Sequence, residues 1–204
     1  MNIKEIYVLN RALDGEDIVF IPSFRGIGLS EIMVDAVKDG MIERGLLKSY
    51  DEFTENGLRI ADRIRRYKEA KKYTKLDNLL LGVIDEKESV AILWNPVLEE
   101  YAVTVVDNTL EIDRITESYQ FLADDATESG DSTEALPYDA LIKRYRLSTN
   151  NSLKLNSLYE DKIVEEIYFK ADEKLFTYNC LTGALSSISR HAIFTNLAER
   201  MSIS

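Results

Sequence analysis

The reactive side chains of this sequence are few and far apart. His191 is the single histidine and Cys180 the single cysteine, so a Ser-His-Asp relay or a histidine-based metal site would have to be built around one imidazole. His191 stands beside Arg190 at the expected start of a helix, a surface or capping position. Cys180 ends an apolar run next to Asn179 and reads as a small buried hydrophobe rather than a nucleophile. Arg25-Gly26-Ile27-Gly28-Leu29-Ser30 copies part of a dinucleotide fingerprint, but Glu31 occupies the third glycine position and no βαβ frame surrounds it, which leaves a helix entry. Asp124, Asp125, Glu128 and Asp131 carry oxygens a hard cation would take, without the spacing of a calcium loop. No cofactor and no metal are expected. With one histidine and no paired nucleophile, only carboxylate chemistry is left to an enzyme, and the expectation is a non-enzymatic protein.

Charge distribution points to a binding role. The 204 residues carry a net charge of −11, but residues 79–140 alone hold 2 basic against 15 acidic side chains, whereas residues 55–78 hold 8 basic against 4 acidic. A field of this overall sign repels phosphate backbones, so nucleic acid is a disfavoured partner. The longest apolar runs, Leu79-Leu80-Leu81 and Val90 to Trp94, are far shorter than the roughly 20 residues that span a bilayer. No secretory leader pattern opens the chain, and one cysteine offers no internal disulfide, so a reducing cytoplasm is the expected compartment, with no membrane insertion.

Periodicity supplies the elements that would position a site. Ile3 to Leu13 has helical spacing; Ile18 to Ile21 reads as a short extended piece before Pro22. Ser30 caps a helix with Met33, Ala36, Val37 and Met41 on one face, stopped by Gly45; Thr54 caps a third helix with Leu58, Ile60, Ala61 and Ile64 inward and a basic face running to Lys75. The period then changes to extended over Leu79–Ile84, Val90–Asn95 and Tyr101–Val106, whose short connections demand an antiparallel meander. Ile112 to Leu122 fits either a strand or a helix. Residues 123–134, rich in acids and without a large apolar side chain, read as a mobile loop. A helix over Leu136–Leu147 follows, then a hairpin of Ile163–Lys170 and Leu175–Cys180, a strand over Leu185–Ser189, and a closing helix Arg190–Met201 with Ile193, Leu197 and Met201 aligned. The expected fold class is α+β: a central antiparallel sheet flanked by helical bundles, with two loosely related halves. One domain over 1–204 is expected, with a possible division into 1–122 and 135–204 at the acidic loop.

Two patterns invite alternative functions. Arg44-Gly45-Leu46-Leu47, a short link and Thr54-Glu55-Asn56-Gly57 between helices are written as winged-helix units are, which would suit a transcription regulator. The helix that would enter the major groove, however, carries Glu31, Asp35, Asp39 and Glu43 against Lys38 and Arg44. The acidic belt could also imitate nucleic acid, as an antitoxin or immunity protein would require. The basic face, Arg59, Arg63, Arg65, Arg66, Lys68, Lys71, Lys72 and Lys75, is expected to meet the acidic belt or an acidic partner. Trp94, in Leu93-Trp94-Asn95-Pro96, reads as core or sheet-face packing, with interface anchoring as the other use of such a ring.

Taken together, "IKEIYVLNRAL", "GEDIVFIP", "MIERGLL", "DEFTENGLRIADRIRRYKEAKKY", "LDNLLLGVI" and "AILWNP" resemble the EspG-like and EsaE-type accessory proteins of type VII secretion. The resemblance implies a cytosolic chaperone that binds secreted WXG- or LXG-type helical substrates and delivers them to the membrane secretion ATPase. It implies a central antiparallel sheet in two related halves, and it carries over no binding residue by position. Our own expectation for the contact surface is the loop containing Asp85 and Lys87, the stretch from Trp94 to Leu98, and the acidic loop with Asp124 and Asp125, offering apolar contact within a charged rim.

Overall fold

The computed structural model describes residues 1–23, 28–123, 133–148, 150–160 and 162–203. Three helices open the chain: α1 (Ile3–Leu13), α2 (Glu31–Glu43) and α3 (Glu55–Lys68), with a small hairpin of β1 (Leu47–Ser49) and β2 (Glu52–Phe53) between the last two. Their starts follow from local chemistry. Asn2 accepts from the backbone of Lys4 and Glu5 while Glu5 reaches back to the Asn2 N–H at 2.8 Å, a reciprocal capping box. Ser30 and Thr54 cap α2 and α3 as expected, and Gly45 turns the chain at φ +69°.

A nine-stranded antiparallel sheet follows: β3 (Lys72–Leu76), β4 (Leu79–Val83), β5 (Glu88–Asn95), β6 (Glu100–Asp107), β7 (Thr133–Ala135), β8 (Ser152–Tyr159), β9 (Lys162–Ala171), β10 (Lys174–Asn179) and β11 (Ala184–Ser187). The spatial order is β6-β5-β4-β3-β8-β9-β10-β11-β7. The remaining described helices are α4 (Asn108–Ser118), α5 (Gln120–Ala123), α6 (Tyr138–Tyr145) and α7 (Arg190–Arg200). Two four-stranded meanders therefore run outward from a central pair, β3 and β8, which join from Lys72 opposite Tyr159 to Leu76 opposite Leu155. Each meander is preceded by a helix and followed by one: α3 to α4 around β3–β6, and α6 to α7 around β8–β11.

Helices pack on both sheet faces, so strands carry apolar residues on alternate sides. On one face, α1–α3 bury Ile6, Leu9, Met41, Ile64 and Tyr67 against Tyr73, Leu80, Ile92 and Val103, and α6 seals Leu141 over Ile167, Phe169 and Tyr178. The opposite face packs Leu76, Leu81, Leu155 and Tyr168 beneath Ile115, Phe121, Leu122, Ile193, Leu197 and Met201, from α4, α5 and the α7 region. Each such Leu or Ile removed from water is worth about 1.5–3 kcal/mol.

Several expectations change. Ile18 to Ile21 forms no strand; Val19 and Phe20 make a turn with Phe20 at φ +64°, and Ile18 and Ile21 are buried as single anchors. The third helix ends at Lys68 rather than Lys75, because Tyr73 and Leu76 are needed on opposite faces of the central strand β3. In α2 the inward residues are Val34 and Met41, while Met33 and Ala36 are exposed; Leu58 of α3 is likewise exposed. The ambiguous stretch 112–122 belongs to helices α4 and α5, the former capped by Asp107 accepting from Leu110 N at 3.0 Å. The helix expected over 136–147 runs only from Tyr138 to Tyr145: Pro137 holds the N-cap position in extended backbone and Arg146 closes the helix at φ +48°. Thr133 and Glu134, expected in the loop, are in edge strand β7. Strand β8 has no counterpart among the sequence expectations, although Leu153 and Leu155 alternate with exposed Lys154.

Candidate partner-binding surface

The residues expected to meet a partner occupy opposite ends of β5. Asp85 and Lys87 sit in the β4–β5 turn, where Asp85 Oδ1 accepts from Lys87 N at 2.8 Å and Glu88 N at 2.9 Å. Those two N–H donors hold the Asp85 carboxyl below the usual carboxylate range, with the positive charges of Lys87 and Arg66 adding to the effect. Trp94 and Leu98 lie at the other end, roughly 24 Å away at about 3.4 Å per residue. The structure therefore does not bring the two pairs together. Asp124 and Asp125 lie outside the described residues.

The tip of the β5–β6 hairpin exposes two adjacent large apolar side chains. Asn95 Oδ1 accepts from Val97 N and Leu98 N at 3.0 and 3.1 Å, and Glu99 turns back at φ +51°. This leaves Val97 88% and Leu98 65% exposed. Trp94 is half-buried, its ring 4.5 Å from that of Tyr101, its register partner across the hairpin. Glu99 and Glu100 follow the tip, and Glu100 pairs with Arg44 at 3.0 Å.

The basic face of α3 is largely engaged within the chain. Arg65 bridges Asp62 at 2.7 Å and Glu69 at 2.8 Å, Arg66 pairs with Glu88, Lys68 pairs with Asp14, and Arg63 donates to Val103 O at 2.9 Å. Lys72, now on β3, donates to Glu199 O and Ser202 Oγ at the end of α7 and lies over the Tyr159 ring. Glu88 belongs to the acidic stretch, so part of the basic face meets the acidic belt inside the molecule.

The other chemical candidates are separated from one another. His191 is exposed in the first turn of α7, whose cap is Ser189. Cys180 follows β10, half-buried, and burial pushes its thiol up. Ser30 works as a cap, and residues 25–27 of the glycine-containing stretch lie outside the described residues. Among the described residues no three His, Cys, Asp or Glu side chains stand close enough together to hold a metal ion. No described helix is long and apolar enough to cross a membrane. A cavity of about 510 Å³ lies between α1, α2 and the β1–β2 hairpin. At its rim Tyr50 donates to Asp39 at 2.6 Å, which pushes the phenol up to about 12.

One residue without a place among the sequence candidates ties these parts together. Asn108 is fully buried and donates to Asp85 O at 2.9 Å and Met201 O at 3.0 Å, while its Oδ1 accepts from Ser89 Oγ at 2.6 Å. Its only sequence signal is an asparagine next to a capping aspartate at a strand-to-helix junction.

Asp85→Ala should destabilise the turn at neutral pH and leave acid stability unchanged. A carboxyl whose folded pKa is depressed contributes stability above its unfolded pKa, and that contribution is lost as pH falls through the folded value. Urea unfolding of both proteins from pH 7 downward checks this; a difference that persists in acid would contradict it.

The family model described as "Domain of unknown function (DUF5081)" matches residues 1–204. No curated protein matches the chain.

Proposed function

For this chain, which belongs to the DUF5081 family over its whole length, we propose a cytosolic chaperone or targeting role: it binds helical type VII secretion substrates of the WXG or LXG kind and hands them to the membrane secretion ATPase. The resemblance of its N-terminal half to EspG-like and EsaE-type proteins supplies the partner class. The observation that carries the reading is the hairpin tip, where Val97 and Leu98 stand in solvent beside Trp94, next to Glu99 and the Arg44–Glu100 ion pair. Exposed apolar side chains so placed suit the capture of an apolar helix seam that would otherwise aggregate. The paired meanders, each flanked by helices, give that tip a rigid support.

Affinity capture from the native cytosol, with nuclease treatment and mass spectrometry, tests the reading. Small helical secretion substrates are expected in the eluate. Leu98→Asp combined with Val97→Asp should lower their recovery at least about tenfold while the circular dichroism melt stays that of the parent, since charge in the centre of a small apolar contact removes its main contribution. Trp94→Asp is the weaker variant for this purpose because the ring also packs on Tyr101. Undiminished recovery with the paired Asp variant, or recovery of nucleic acid in place of protein, would sink the proposal.

A further inference from the structure

A second surface lies on the opposite side of the same hairpin. Between α4 and strands β4 and β5 runs a groove of about 620 Å³. Leu79 and Leu93, register partners on one sheet face, form its floor together with Ile115, and Tyr119 closes one end by donating to Asp77 at 2.5 Å. Elsewhere this sheet face lies beneath α4, α5 and α7. Here, among the described residues, it is bare: Leu93 is 49% exposed, and Ala102 and Thr104 on the same face of β6 are exposed. The position is that of a missing helix next to α4, where packed helices stand about 8–10 Å apart.

Charge selects the occupant. Asp77, Glu111 and Glu117 line the groove, and its one cation among the described residues, Arg114, is paired to Glu111 at 3.2 Å. Residues 79–122 carry nine acidic against two basic side chains. A second copy of a chain with net charge −11 would bring like charge to like. We propose that the groove takes an amphipathic helix of another protein, with an apolar stripe at i, i+3/i+4 and i+7 and Lys or Arg on its flanks. This inference rests on the reading of the chain as a binding protein but uses a different face from the hairpin tip.

The test uses the full chain and a synthetic peptide of roughly five helical turns with a Leu stripe flanked by Lys, titrated by fluorescence anisotropy. Saturable binding is expected, weakened by added salt. Leu93→Asp should weaken it at least about tenfold, and Glu117→Lys, at an exposed position that leaves the fold untouched, about fivefold. Equal affinity for a scrambled peptide or for one flanked by Glu would overturn the proposal, as would no binding. Sedimentation showing a dimer that Leu93→Asp dissolves would assign the groove to a second copy and equally overturn it. Loss of peptide binding with substrate capture still sensitive to Leu98→Asp removes the groove alone, whereas insensitive capture removes the functional reading.

Discussion

Replacing Asn108 by aspartate is expected to lower the stability of the fold by about 3–5 kcal/mol at neutral pH, enough to bring Tm down by roughly 6–20 °C. The side chain is fully buried, and its two N–H donors face the carbonyl oxygens of Asp85 and Met201. Aspartate keeps the shape but turns two donors into an acceptor opposite two acceptors, in a place shut off from the surface. Burial among carbonyl oxygens raises the folded-state pKa of the new carboxyl above its unfolded value. The charge penalty is therefore absent below the unfolded pKa, grows as pH rises toward the folded one, and is constant beyond it. Asn108→Ala removes the same bonds without a charge and should cost about 2–3 kcal/mol at every pH. Urea unfolding across the acid range separates the two variants; a pH-independent deficit for the Asp variant would refute the electrostatic account. Because Asn108 links the β4–β5 turn, the start of α4 and the end of α7, its loss should also loosen contact between the first meander and the closing helix of the second.

That link shows why the fold is only partly legible in the sequence. Local signals are direct: Ser30 and Thr54 cap their helices, and Ile193, Leu197 and Met201 align along the closing helix because one face is buried. The meander β4–β6 follows from connections too short for a crossover. What fails is long-range. Lys72 to Leu76 continues a basic helical pattern, and only pairing with β4 on one side and β8 on the other makes it a strand. Strand β8 escapes because Asn156 and Ser157 interrupt its apolar alternation; Ser157 is buried by donating to Tyr73 O at 3.1 Å, a partner 84 residues away. The candidate surface is legible in composition alone. Exposed Val97 and Leu98 lie in a stretch the sequence singles out, and the expected strand over Val90–Asn95 already separates them from Asp85 and Lys87; what nothing local tells is that Leu93 stays uncovered on its face of the sheet.

Two glycine-to-alanine exchanges in neighbouring helices should move stability in opposite directions. Gly57 lies in the first turn of α3, where a Cβ would stand 2.0 Å from Leu46 O and 3.1 Å from Phe53 Cδ1. Leu46 O cannot retreat freely, since it accepts from Thr54 N at 3.1 Å and from Thr54 Oγ1 at 3.2 Å, and Thr54 is the cap of the same helix. Relief must separate α3 from the chain that leads into β1, over Leu46 and Leu47, each only 4% exposed. Gly57→Ala is expected to destabilise by about 3 kcal/mol, the upper end of overpacking costs, and to lower Tm by roughly 6–12 °C. Gly40 lies within α2, where an added methyl group would meet nothing within 4 Å. There the alanine gains only its better helix propensity and the narrower unfolded ensemble, about 0.5–1 kcal/mol. Thermal melts of the two variants decide between causes. If helix propensity governed both positions, both melts would rise; opposite signs mean that the close approach of α3 to the Leu46 carbonyl, which seats the helical layer on the sheet, governs Gly57.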